Sequence, residues 1–191
     1  MANATKKILL HKRLLSDLQQ DSLSGEHDLY YFDEAGFSLT PSVPYAWQPI
    51  GQRYEIPSSK SRQLNVLGFL NYNGQQLDPY VFEGGVDAST VIACFDSFSR
   101  KLRKPTTVVI DNAPVHTSSR FQSMIPRWEE KNLYLWFLPS YSPELNLIEI
   151  LWKRIKYHWL PMSAYTAFEN LDRELCSILG SFGEKFRVNF T

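Results

Sequence analysis

Cysteine is nearly absent from this chain: Cys94 and Cys176 are the only two among 191 residues, and they show no paired spacing. That excludes a disulfide framework and a cysteine-built zinc site, and it points to a reducing compartment. Long apolar runs are missing too. No stretch reaches the roughly 18 apolar residues of a membrane span, and the opening "MANATKKILLHKRLL" lacks the apolar core of a signal peptide. Neither sign of charge is in excess, because 20 Lys and Arg face 20 Asp and Glu. Domains that grip nucleic acid by charge alone are usually strongly basic, so this balance argues against tight autonomous DNA binding. Basic residues do gather locally, in "SSKSR" (Ser58 to Arg62), "SRKLRK" (Ser99 to Lys104) and "WKRIKYHW" (Trp152 to Trp159), and a solvated face accounts for each when taken alone. Repeats, heptads and low-complexity segments are lacking, and a chain of this length reads as one globular domain.

What is present starts with "VVIDNAPVH". Val108-Val109-Ile110 has no polar alternation, the pattern of a strand buried on both faces. It stops at Asp111, and Asn112-Ala113-Pro114 breaks the extended run. A carboxylate at the end of a central strand sits where open α/β sheets place their ligands. "DLYYFDEAGF" repeats the arrangement, with Leu29 to Phe32 delivering Asp33. Two strands that each end in an aspartate predict a shared site. Like charges at close range share a proton or bind a cation, and a hard divalent ion with oxygen ligands suits such a pair.

Along the chain, residues 1–28 read as a linker with a short helix over Lys6–Gln19, and residues 29–191 as the folded domain. The first strand covers Leu29–Asp33 and can run on toward Leu39. A long irregular excursion with four prolines follows, carrying Tyr45, Trp47 and Arg53. Strands over Leu64–Leu70 and Leu77–Phe82 flank Asn73-Gly74, a hairpin signal in which both residues tolerate positive φ. A helix over Ala88–Leu102, a strand over Thr106–Ile110, a helix from about Ser118 to Lys131 and a strand over Leu133–Leu138 come next. Ser142 as cap and Pro143 in the first turn start another helix, and Ala164–Gly180 forms the last. The order is βββαβαβα. Two acids on the penultimate helix are notable. Glu144 in its first turn is explained by the helix dipole. Glu149 lies more than a turn further in, at the edge of the stripe Ile148, Leu151, Trp152, Ile155 and Trp159. It is either an exposed partner of Lys153 or a third ligand for the two aspartates.

"YYFDEAGF", "VVIDNAPVH" and "FLPSYSPELNLIEILWKRIK" together resemble the three catalytic blocks of DDE transposases. The resemblance is to the bacterial insertion-sequence group of the mariner-like superfamily, also described as DDE superfamily endonucleases. "YAWQPIGQR" is similar to the tryptophan-and-glycine segment that follows the first block in that group. The resemblance spans about Leu29 to Lys156, and Leu147 stands where the group usually has a proline. It implies an α/β, ribonuclease H-like fold, a mixed five-stranded sheet flanked by helices, with residues 29–191 as the catalytic domain. It also implies cleavage of DNA at transposon ends and strand transfer into target DNA, dependent on Mg²⁺ or Mn²⁺, with two ions. By motif, Asp33, Asp111 and Glu149 are the catalytic metal ligands, and Asn112, His116 and Asn146 support them. His116 also reads as a structural loop histidine and Asn146 as helix-surface packing. Trp47, Arg53, Lys153, Arg154 and Lys156 are the expected DNA contacts. The partners implied are transposon-end and target DNA and a second copy of the chain, with no membrane and a cytoplasmic, bacterial, nucleoid-associated location. Such proteins carry helix-turn-helix modules before the catalytic part, so the chain reads as a truncated, split-frame or decayed transposase. Two further readings keep the fold: a structure-directed ribonuclease H-like nuclease, and an inactive relic that binds DNA or a protein.

Overall fold

The computed structural model describes residues 2–42, 50–51, 53–56, 62–73, 75–139 and 142–190, with backbone alone for residues 2–9. β1 (Asp28–Ser38), β2 (Gln63–Asn71) and β3 (Leu77–Glu83) form an antiparallel meander. β4 (Thr106–Ile110) and β5 (Leu133–Phe137) add in parallel on the other side of β1. The resulting sheet order, β3-β2-β1-β4-β5, is the mixed five-stranded sheet expected. All five residues of β4 are buried, as a strand flanked by strands and covered on both faces must be.

Alternation along β1 divides the core in two. Leu29, Tyr31, Ala35 and Phe37 face α1 (Ala2–Ser24), α6 (Ile148–Arg154) and α7 (Phe168–Gly180). Phe32 faces the opposite layer, built by α2 (Ala88–Ser99), α3 (Pro114–Thr117), α4 (Ser119–Gln122) and α5 (Ile125–Glu129). That second layer is largely aromatic: Phe69 stacks on Phe98 at 4.0 Å, and Phe95 lies 5.0 Å from Trp128.

Several elements differ from expectation for identifiable reasons. The helix expected over Lys6–Gln19 runs from Ala2 to Ser24, with Leu15 buried in the core and Gln19 Nε2 donating to the Tyr31 hydroxyl at 2.8 Å. The single helix expected from Ser118 to Lys131 is two short ones, α4 and α5, with α3 ahead of them: the Ser118 hydroxyl accepts from Phe121 N–H and restarts the chain, and Pro126 opens the last. Ser142 makes no side-chain cap. Pro143–Leu145 is a 3-10 turn and α6 begins at Ile148, so Glu149 lies in its first turn. In the β2–β3 hairpin, Asn73 works through its side chain, accepting from Gln75 N–H, and its φ is not positive. Gly74 lies outside the described residues.

Gly68 of β2 sets how closely α6 approaches the sheet. A Cβ at this position would stand 2.9 Å from Trp152 Cη2 and 3.2 Å from Ile148 Cδ1. Gly68 pairs directly with Asp33. Gly68→Val is expected to destabilise the fold by about 1–3 kcal/mol through overpacking, measured as a lowered urea midpoint at unchanged slope.

Candidate active site

The parallel pairing Tyr30↔Val108 and Tyr31↔Val109, carried two residues onward, brings Asp33 level with Asp111. Asp111 follows the last residue of β4. Asp33 does not end its strand, because β2 keeps pairing with β1 as far as Ser38. It lies where β1 has outrun β4 and is hydrogen-bonded on one side only. Successive strand side chains alternate faces, so Glu34 points into the opposite layer, where His116 opposes the upward pull of burial on its carboxyl.

Glu149 reaches the same place from α6. Asn146 Nδ2 donates to the Phe32 carbonyl at 3.1 Å, and the Asn146 carbonyl accepts from Glu149 N–H at 3.1 Å. One buried asparagine thereby couples the peptide before Asp33 to the turn that carries Glu149. Asp33, Asp111 and Glu149 line a single pocket of about 400 Å³, with Asn112, Ser142 and Asn146 among its walls and no Lys or Arg. The three acids are brought together; the Glu149–Lys153 pair is not among the ion pairs of the described residues.

Electrostatics treat the two aspartates oppositely. Burial pushes the Asp33 carboxyl up to about 7, the Glu149 and Asp111 charges add to that, and the Glu34 backbone N–H opposes it. The Trp152 indole also lowers it, at a geometry short of a regular hydrogen bond, since its buried Nε1 has no partner. Asp111 is held below the ordinary carboxylate range, chiefly by His116, whose Nδ1 lies 2.8 Å from Oδ1, and also by Ala113 N–H at 3.0 Å. An ionised carboxylate only accepts, so Nδ1 carries the hydrogen. His116 is buried between the Phe32 and Phe121 rings. Asn112 Nδ2 donates to the Leu138 carbonyl and closes the ends of β4 and β5 together.

Among the described residues, no three His, Cys, Asp or Glu side chains are gathered tightly enough to form a ready-made metal cage. Both described contacts of the Asp111 carboxylate fall on Oδ1 and turn it toward His116. Two buried oxygens of the pocket walls, Asn146 Oδ1 and Ser142 Oγ, have no hydrogen-bond partner. Ser142 was legible only as a helix cap; nothing local in "PSYSPEL" marks its hydroxyl as part of a pocket.

The expected DNA contacts scatter. Tyr45 and Trp47 lie outside the described residues, and Arg53 is exposed. Lys153 is exposed one turn after Glu149, and Lys156 Nζ stands 5.3 Å from the centre of the Phe37 ring. Arg154 projects elsewhere, into a separate groove. No helix among the described residues is long and apolar enough to cross a membrane.

Residues 28–172 match the family described as DDE superfamily endonuclease. The "Insertion element IS630 uncharacterized 39 kDa protein" of Shigella sonnei is 28% identical over 156 residues, covering 78% of this chain and 42% of that protein. The "Transposable element Tcb2 transposase" of Caenorhabditis briggsae is 26% identical over 155 residues, covering 75% and 56%. The chain thus spans about half the length of these relatives. The crystal structure of the mariner Mos1 paired end complex with Mg superposes at a TM-score of 0.67 and 16% identity, over 95% of this chain and 56% of that one. The fold is shared with that protein and is ribonuclease H-like.

A carboxyl whose folded pKa is raised contributes stability below its unfolded pKa, near 4, that is lost as pH rises through the folded value, here about 7. Asp33→Asn removes that loss. Its melting temperature is expected to exceed that of the wild type by several degrees at pH 8, with the difference shrinking steadily toward pH 4 in a calorimetric pH series.

Proposed function

Because the chain belongs to the DDE superfamily endonuclease family, we propose that it is the catalytic domain of a transposase. On this reading, residues 29–191 cleave DNA at transposon ends and join the freed 3′ hydroxyl to target DNA. The observation that carries it is the pocket at the end of β4, where three carboxylates from β1, β4 and α6 converge with no basic side chain among the lining residues. The uncompensated charge, the all-oxygen donor set and the unpartnered side-chain Oδ1 of Asn146 suit a hard divalent cation such as Mg²⁺ or Mn²⁺. Asp33, Asp111 and Glu149 would hold it, and two such ions are what the reaction class favours. The bound metal supplies Lewis acidity at the phosphoryl oxygen and an activated water or 3′ hydroxyl.

The chain's own residues do the rest. His116 keeps Asp111 ionised and fixes its Oδ1, leaving Oδ2 for the pocket. Asn146 sets the separation of Asp33 and Glu149, and Asn112 keeps β4 and β5 in line beneath them. The protonated form of Asp33 at mildly acidic pH weakens cation binding, so activity rises toward alkaline pH. Lys153 extends the Glu149 side of α6 toward the DNA backbone. Two copies, each holding one end, are the assembly this reading implies.

A nuclease assay on terminal-repeat DNA with Mg²⁺ or Mn²⁺ tests it. Asp111→Ala and Glu149→Ala are each expected to lower product by about 100-fold or more. Asn146→Ala keeps every acid and is expected to lose about 100-fold through misplacement alone. Unchanged product in the acid variants would refute the assignment. Joining of pre-cleaved ends to target DNA separates a transposase from a structure-directed nuclease.

A further inference from the structure

Net neutrality conceals a strongly one-sided surface. The two stretches Ile150–Phe168 and Lys185–Phe190 contain Lys153, Arg154, Lys156, Lys185 and Arg187 and not a single Asp or Glu. The fold packs them together. After α6 the helix widens into a π turn, Ile155–Trp159, closed by Leu160 N–H donating to the Ile155 carbonyl at 3.0 Å. π turns are rare and frequently mark functional positions. Trp159 emerges from this turn onto the Phe182 and Phe186 rings, at 6.5 and 5.0 Å.

After α7 the chain turns over residues 181–186, and burial alternates from Phe186 to Phe190. Phe186, Val188 and Phe190 turn inward, Phe190 stacking on Tyr72, while Arg187 and Asn189 face out. Arg187 is steadied by its Nε, which donates to the Gly183 carbonyl at 2.9 Å, so both terminal nitrogens remain available. Arg154, Trp159, Arg187, Val188 and Asn189 line one groove of about 340 Å³. Neither arginine has a carboxylate in ion-pair range among the described residues. The other basic clusters are partly paired: Lys101 with Asp78 at 2.7 Å, Lys104 with Asp28 at 3.1 Å, and Arg62 with Glu83 at 2.5 Å.

We propose that Arg154 and Arg187 form a phosphodiester clamp, a second DNA subsite separate from the acid pocket. Two guanidinium groups without a carboxylate partner among the described residues, lining one groove with the Asn189 amide, suit a phosphate group in charge and in donor chemistry. The aromatic contacts of Trp159 and Phe186 fix the backbone that carries Arg187, and the Gly183 carbonyl holds its Nε. Arg154 follows Glu149 by five residues, about 7.5 Å along the helix axis and about 140° around it, so the groove lies on another side of α6 from the acid pocket and would take DNA away from the reacting phosphate. The subsite thereby names how this domain holds its substrate, and it rests on the proposed function for the identity of that substrate.

Fluorescence anisotropy of a short labelled duplex, titrated with KCl in EDTA so that nothing is cleaved, tests the clamp on the full chain. Arg154→Ala/Arg187→Ala is expected to bind about tenfold more weakly and to reduce the slope of log K against log salt by about 2. Arg154→Lys/Arg187→Lys should restore the slope. Lys101→Ala/Arg103→Ala, with an equal loss of charge on the opposite face of the sheet, should leave it unchanged. An unaltered slope in the alanine pair, or an equal fall in the control, overturns the proposal. Loss of cleavage in Glu149→Ala with its slope intact upholds the enzymatic reading independently. Acid-dependent cleavage beside an unaltered slope sinks the clamp alone.

Discussion

The convergence of three carboxylates on one pocket is the arrangement that the rest of this domain supports. Groups of like charge brought to one pocket move apart, or take up protons, unless a stiff frame opposes them. The frame here is a sheet whose central strands are buried on both faces, backed by an interlocked aromatic layer in which Phe32, Phe69, Phe95, Phe98, Phe121 and Trp128 leave little room for adjustment. The Asp33 carboxyl is pushed up chiefly by burial in this frame, and the Glu149 and Asp111 charges add to it. The ionised form of Asp33 therefore costs stability in the folded domain.

Rigidity of the strands would be wasted if α6 could slide. Its placement rests on two small features on either side of Asp33. Gly68, the β2 neighbour of Asp33, lets Trp152 and Ile148 press against the sheet without an intervening side chain. Asn146 ties the turn before α6 to the Phe32 carbonyl. Packing thus fixes the depth of the helix, and a directional bond fixes its position along the strand. His116 plays a comparable part for Asp111 from the opposite layer, so the pocket draws support from both halves of the core.

Much of this was readable in the residues, within limits that physics explains. The unbroken apolar run of β4 announces a buried strand, and the order of strands and helices follows from period alone. The convergence of Asp33 and Asp111 was also legible, though for an incomplete reason: Asp33 sits mid-strand because β1's length is set by pairing with β2, a contact distant in sequence. The break of the Ser118–Lys131 segment had a local signal in Ser118 and Pro126 that helical periodicity outweighed. Asn146 could be suspected but not assigned, since its partner, the Phe32 carbonyl, lies 114 residues earlier. The "FRVNF" alternation was present too, but a run this short without flanking turns does not distinguish a docked segment from a free end.

The π turn has an implication for how such a domain can change. Its hydrogen bond spans one residue more than an α-helical bond, so deleting a single codon within Ile155–Trp159 would restore ordinary winding. The wide turn takes up one extra residue within about the same rotation that four α-helical residues cover, so the residues after it would keep their facing. Trp159 would still meet the Phe182 and Phe186 rings on which the terminal segment rests. Glu149, upstream, would stay where it is. This flank can therefore gain or lose a residue without disturbing the acids.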